Sequence, residues 1–201
     1  MTAVCPSCGA GLETPLACDA CGYLVEAEVD PGPFEVLGLE PSYSLDAADL
    51  RKRLRRITRL VHPDFHAIAG AEVLARSERN NALLNDAYQL LSDDVRRADR
   101  LVSDLGGPSE KDLGTMPQAF LMEVMEWNET LEEAAPGSDE FARLESELLA
   151  HRDQLAADIE AALTPLPAPG APALAAVRQH LNARRYVDRA LARVSTTGPS
   201  A

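Results

Sequence analysis

Leu60-Val61-His62-Pro63-Asp64 ends the most strongly patterned run in the chain, and the reading of the fold starts there. Upstream, Leu50, Leu54, Ile57 and Val61 recur at offsets of four, seven and eleven, which is one face of an α-helix. Between them stand Arg51, Lys52, Arg53, Arg55, Arg56 and Arg59, which helical spacing turns away from the apolar stripe. Pro63 has no amide proton and disfavours a helical His62, so the helix is expected to end at Val61 or His62. A basic rod therefore carries a His and an Asp at its mouth, held by a rigid residue. In a chain of net charge −13, six cations in nine positions present a surface to something acidic.

Phe34-Glu35-Val36-Leu37-Gly38-Leu39 reads as a short apolar turn stopped by Gly38, and Asp46 as the cap of the basic helix. A further helix is expected over 71–91, with Leu84, Ala87, Tyr88 and Leu91 inward. Ser92 or Asp93 caps a short one with Val95, Ala98, Leu101 and Val102 inward, and Gly106-Gly107-Pro108 ends the unit. Beyond Pro117 a helix buries Phe120, Val124, Trp127 and Leu131 and turns Met122, Met125, Glu126, Glu129 and Glu133 the other way. Two thioethers among carboxylates on an outward face suit an irregular partner surface. Pro136-Gly137 breaks that helix. Ser138 or Asp139 starts the next, with Phe141, Leu144, Leu148, Leu155, Ile159 and Leu163 as its stripe. Four prolines between 165 and 172 stiffen a loop before a last helix bearing Leu174, Val177, Leu181, Val187, Leu191 and Val194, with 195–201 expected to fray. His151 and His180 read as surface residues.

All four cysteines lie in the first 21 residues, as Cys5-Pro6-Ser7-Cys8-Gly9 and Cys18-Asp19-Ala20-Cys21-Gly22. Nine intervening residues allow a short hairpin that gathers four thiolates, which suits a structural Zn²⁺ with all four positions filled; a rubredoxin-like iron is the alternative. So short a segment cannot build a core alone, and the metal is expected to fold it. Residues 26–33 read as a linker.

The 201-residue chain is expected to be all-α: a helical hairpin and a three-helix bundle, preceded by a small metal-bound β-hairpin knuckle, over 1–30, 31–107 and 108–201. Apolar residues make up 46 % and charged residues 25 %, ordinary for a globular protein, and no apolar run is long enough to span a bilayer. The acidic balance argues against nucleic acid as the main partner. No secretion or import leader is signalled, so a reducing cytoplasm is expected. No nucleophile, phosphate loop or convergent carboxylate pair accompanies His62 and Asp64, so no enzyme is expected.

Phe34-x-x-Leu37-Gly38-Leu39, the basic helix, His62-Pro63-Asp64 and Asn85-x-Ala87-Tyr88-x-x-Leu91 together resemble a J-domain. The resemblance implies docking on a DnaK-type ATPase chaperone and triggering of its ATP hydrolysis, with His62, Pro63, Asp64, Arg51, Lys52, Arg55, Arg56 and Arg59 as the contact. Phe120-Leu121-Met122-Glu123 followed by Glu126 and Glu129 is further similar to HscB-type co-chaperones of iron–sulfur cluster assembly. That family implies that Leu121, Met122, Met125, Glu126, Glu129 and Glu133 bind the cluster scaffold protein, with Arg185 and Tyr186 added from the last helix. Cys5, Cys8, Cys18 and Cys21 would hold the metal; only some branches carry this knuckle. Phe65 departs from the basic residue that many members have after the Asp. A general J-protein delivering unfolded clients is the alternative, and dimerisation through the knuckle stays open.

Overall fold

The computed structural model describes residues 3–26, 31–113, 116–135 and 137–197. The expected all-α architecture is what forms. Its helices are α1 (Pro33–Val36), α2 (Ala47–Val61), α3 (Ala71–Ser92), α4 (Asp94–Asp104), α5 (Gln118–Glu133), α6 (Asp139–Leu163) and α7 (Ala173–Thr197), with a one-turn 3-10 helix over Pro63–Phe65. The chain divides into two compact units, Met1–Arg97 and Ala98–Ala201, so the division falls inside α4. No helix among the described residues is long and apolar enough to cross a membrane.

In the first unit α2 packs on α3, and α1 packs on α3. Leu50, Ile57 and Val61 are buried from α2 and Leu84, Ala87 and Leu91 from α3, so the four- and seven-residue spacings translate directly into a core. Asp46 caps α2, its Oδ1 accepting from the Ala48 amide at 2.7 Å and the Asp49 amide at 3.4 Å. Gly38 takes φ +64°, and its amide donates to the Glu35 carbonyl as α1 ends. Asp93 caps α4 through Arg96 N at 2.9 Å. Arg97 donates to the Tyr43 carbonyl at 2.7 Å, with its guanidinium carbon 5.1 Å from the Tyr43 ring centroid.

The cysteine segment belongs to this unit. Two isolated antiparallel bridges, Val4 to Gly11 and Ala17 to Leu24, each close one loop around one cysteine pair. The loops repeat at an offset of thirteen residues: Cys5 N donates to Ala10 O and Gly9 N to Cys5 O, as Cys18 N does to Tyr23 O and Gly22 N to Cys18 O. Each C-x-x-C-G thus makes its own turn. The linker expected over 26–33 falls partly on residues 27–30, outside the described residues.

In the second unit α5, α6 and α7 pack together around Trp127, Phe141, Leu144, Leu148, Leu155, Val187 and Val194. Ser138 caps α6 through Phe141 N at 3.2 Å. The helix α7 continues through Thr197, and the Ser195 and Thr196 hydroxyls donate to the Leu191 and Ala192 carbonyls. Residues 198–201 lie outside the described residues. Gly107 allows a close approach, since a Cβ there would sit 2.6 Å from Val102 Cγ1 and 2.9 Å from Leu174 Cβ. Arg178 is buried, pairs with Asp99 and donates to the Pro108 carbonyl at 2.9 Å. Removing it leaves that carbonyl and Asp99 without their partner. Arg178→Ala is expected to lower the unfolding free energy of this unit by about 1–3 kcal/mol, measured by chemical denaturation followed at Trp127. A loss below about 0.5 kcal/mol would show the pair to be ornamental.

Candidate functional site

The cysteine loops converge as their spacing predicts. All four sulfurs lie within 4.8 Å of one another, with Cys5 to Cys21 and Cys8 to Cys18 at 3.7 Å, and none is in a disulfide. A tetrahedron with metal–sulfur bonds of about 2.3 Å has edges of about 3.8 Å, so the donors are already spaced for one ion. Gly9 and Gly22, at φ +74° and +73°, supply the left-handed residue after each second sulfur. Burial raises the Cys5 thiol, but the Cys8 and Ser7 amides and the thiols of Cys21 and Cys18 outweigh it and bring it to about 7. The Ala10 amide lowers Cys8, yet crowding by Cys21, Cys18 and Cys5, with burial, pushes it up to about 12. Four thiols so close cannot all ionise without a cation among them. These residues form a candidate metal site.

The knuckle is clamped to the helices by polar contacts that sequence pattern does not announce. Asn80, fully buried, donates its side-chain amide to the Leu16 carbonyl at 2.7 Å and the Val25 carbonyl at 3.0 Å. Thr14 Oγ1 donates to the Val36 carbonyl at 2.8 Å, and Arg76 meets Glu26 at 2.8 Å. Gly38 gives way to the Glu13 carbonyl, which would lie 2.4 Å from any Cβ there.

At the mouth of α2 the helix ends at Val61, and His62 turns extended at ψ 132°. His62 Nδ1 accepts from the Asp64 amide at 3.2 Å, and His66 Nε2 donates to the Leu60 carbonyl at 2.8 Å. The His62 and Phe65 rings meet edge-on at 6.0 Å. Asp64 and Phe65 are exposed, and Ile68 is fully so. His62 and His66 therefore serve the helix end with separate ring nitrogens and do not converge on a common site.

The cations of α2 divide into two groups. Arg51, Lys52, Arg55 and Arg59 are exposed and form no ion pair among the described residues. Arg53 turns inward, to Asp49 at 2.7 Å and the Gly38 carbonyl at 2.7 Å. Arg56 reaches the knuckle, with Nη1 2.8 Å from Glu13 and 2.6 Å from Asp19. Together with Glu13, Asp49, Lys52, Arg55 and Arg59 they line an open groove of about 460 Å³.

In the second unit, Leu121, Met122 and Met125 are exposed on α5 at 37, 56 and 62 %, beside exposed Glu126, Glu129 and Glu133. Behind them Phe120 packs edge-on to Trp127, His151 and Tyr186 at 5.8, 5.9 and 5.8 Å. His151 is thus a half-buried part of an aromatic cluster, and His180 Nδ1 is buried; neither is the surface residue expected. Arg185 pairs with Glu110. Next to Tyr186 a small cavity of about 90 Å³ is lined by Glu110, Met116, Asn182, Arg185, Tyr186 and Arg189.

Two family models match the chain: the DnaJ domain over residues 32–99 and the HSCB C-terminal oligomerisation domain over 116–195. The chain is 37 % identical over 134 residues to the co-chaperone protein HscB homolog of Shewanella halifaxensis, covering 66 % of this chain and 76 % of that one. It is 35 % identical to that of Pseudoalteromonas atlantica, with 66 and 74 % covered. The solved structure of human co-chaperone protein HscB superposes with a TM-score of 0.79 at 26 % identity, over 96 % of this chain and 98 % of that one. The chaperone HscB of Vibrio cholerae gives 0.70 at 25 %, over 83 and 96 %.

Removing one sulfur removes a quarter of the donor set. Cys8→Ser is expected to reduce bound metal from one ion per chain to almost none, measured by elemental analysis. Metal bound through thiolates competes with protons, so affinity falls as pH falls; with Cys8 at about 12 that competition extends above neutrality. A metal affinity independent of pH between 6 and 9 would contradict thiolate ligation.

Proposed function

Because the chain belongs to the HscB family of J-domain co-chaperones, we propose that it binds an iron–sulfur cluster scaffold protein and delivers it to a DnaK-type chaperone. In this reading residues 31–107 are the J-domain, 108–201 the scaffold-binding bundle and 1–30 a knuckle holding structural Zn²⁺. The protein is cytoplasmic, carries out no reaction of its own and engages neither membrane nor nucleic acid. The observation that carries the reading is that one chain presents two unlike contact faces. One is an exposed Asp64 at the end of the helix that carries exposed Arg51, Lys52, Arg55 and Arg59, which form no ion pair among the described residues. The other is an apolar face with an acidic rim, Leu121, Met122 and Met125 with Glu126, Glu129 and Glu133.

Each face suits a different chemistry. Cations steer onto an acidic groove of the ATPase, where the protruding Asp64 carboxylate can take a bidentate arginine. His62 and Pro63 hold that carboxylate in place. On α5, Met122 and Met125 mould to an apolar patch on the scaffold while the carboxylates fix register. Tyr186 backs this face through Phe120, and Arg185 adds a cation that Glu110 engages in the free chain.

His62→Gln is expected to abolish stimulation of the chaperone's ATPase while leaving scaffold capture intact, read by single-turnover ATP hydrolysis. Undiminished stimulation would refute the J-domain mechanism. Met122→Ala with Met125→Ala is expected to weaken scaffold binding by about 2–4 kcal/mol, read by calorimetry. Unaltered binding would favour delivery of unfolded clients instead.

A further inference from the structure

The six cations of α2 do not all face outward, and what sets Arg56 apart lies on the knuckle. Its guanidinium stands between the carboxylates of Glu13 and Asp19, at 2.8 and 2.6 Å. Neither carboxylate is carried on a loose segment. Asp19 follows the buried ligand candidate Cys18, and Glu13 precedes Thr14, whose hydroxyl is bonded to the Val36 carbonyl. Asn80 holds the loop on both sides through Leu16 and Val25. The backbone at Glu13 is pressed so close to Gly38 that no side chain fits between them. The knuckle thus seats two anions on the cationic helix, and Glu13 lines the same groove as Lys52, Arg55 and Arg59.

We propose that the knuckle trims the docking surface: Glu13 and Asp19 withhold Arg56 from the DnaK-type chaperone and thereby set the strength and salt dependence of docking. The inference rests on the reading of α2 as the chaperone-binding face. Carboxylates already occupy Arg56, and an acidic partner must displace them or dock on the remaining cations alone. Since displacement would break two short ion pairs on a clamped module, docking proceeds on Arg51, Lys52, Arg55 and Arg59. A weaker cationic row slows encounter and lessens its salt dependence, because exposed charge pairs act mainly on association and fade with salt.

The test uses the full chain with its metal content verified, binding to the ATP form of the DnaK-type chaperone from the same cell. Glu13→Gln with Asp19→Asn returns Arg56 to the row. Docking is expected to tighten about two- to fivefold at about 50 mM salt. The gain should vanish at high salt and vanish again when Arg56→Gln is added. Unchanged affinity with metal still bound would overturn the proposal, as would a gain that survives Arg56→Gln. If the double variant fails to retain metal, Glu13→Gln alone substitutes, since its carboxylate is largely exposed; a gain of up to about twofold is then expected, and no gain overturns the proposal. Arg59→Gln separates the two layers, because docking that ignores Arg59 refutes the docking reading itself rather than the trimming of it.

Discussion

A helix that must stop at Pro63 leaves its last carbonyls without intrahelical donors, and the first unit is built around satisfying them. The Leu60 carbonyl accepts from His66 Nε2 and the Val61 carbonyl from the Ser77 hydroxyl at 2.6 Å. The His62 and Pro63 carbonyls accept from the amides of Phe65 and His66. Ser77 is fully buried on α3, so the corner is tied to the opposite helix as well as to itself. With its backbone this thoroughly bonded, the corner holds Asp64 outward. A projecting carboxylate on a rigid turn is what a protein-docking contact needs, because little conformational freedom remains to be lost on binding.

The same logic explains why the knuckle is more than an appendage. A segment of about 25 residues with a metal site has too little apolar surface to hold a fixed position by burial alone. It contributes Leu16, Ala17 and Leu24 to the buried set, and its orientation is fixed by hydrogen bonds from Asn80, Thr14 and Arg76. A buried amide that loses its carbonyl partners costs about 1–3 kcal/mol, so Asn80 specifies the docked pose as well as stabilising it.

The features legible in the sequence were those with a local period or a fixed spacing. The stripe of Leu50, Ile57 and Val61, the caps at Asp46 and Ser138, the stop at Pro63 and the C-x-x-C-G turns each arise from residues within one or two turns of each other. So does the split of α5 into a Trp127 face and a Met122–Met125 face. What the sequence hid were polar pairs between distant segments. Arg56 to Asp19 spans 37 positions and Asn80 to Leu16 spans 64, and no periodicity marks such partners. Arg56 belongs to the exposed stripe by helical angle alone, yet the knuckle turns it into an internal contact. His151 differs, because it stands in register with Leu148 and Leu155 on the apolar stripe of α6, so its burial against Phe120 and Trp127 on α5 is legible from the spacing.

In the proposed function these features make the chain an adaptor, with one face for each of two partners. The central claim of that proposal is coupling: scaffold bound at α5 is expected to make the chain a better activator of the chaperone, because cargo and trigger then arrive together. The most direct measurement is the concentration of chain that gives half-maximal stimulation of the DnaK-type ATPase, with and without saturating scaffold. That concentration is expected to fall several-fold with scaffold present, and the fall should disappear with Met122→Ala and Met125→Ala. A half-maximal concentration unchanged by scaffold would contradict the adaptor.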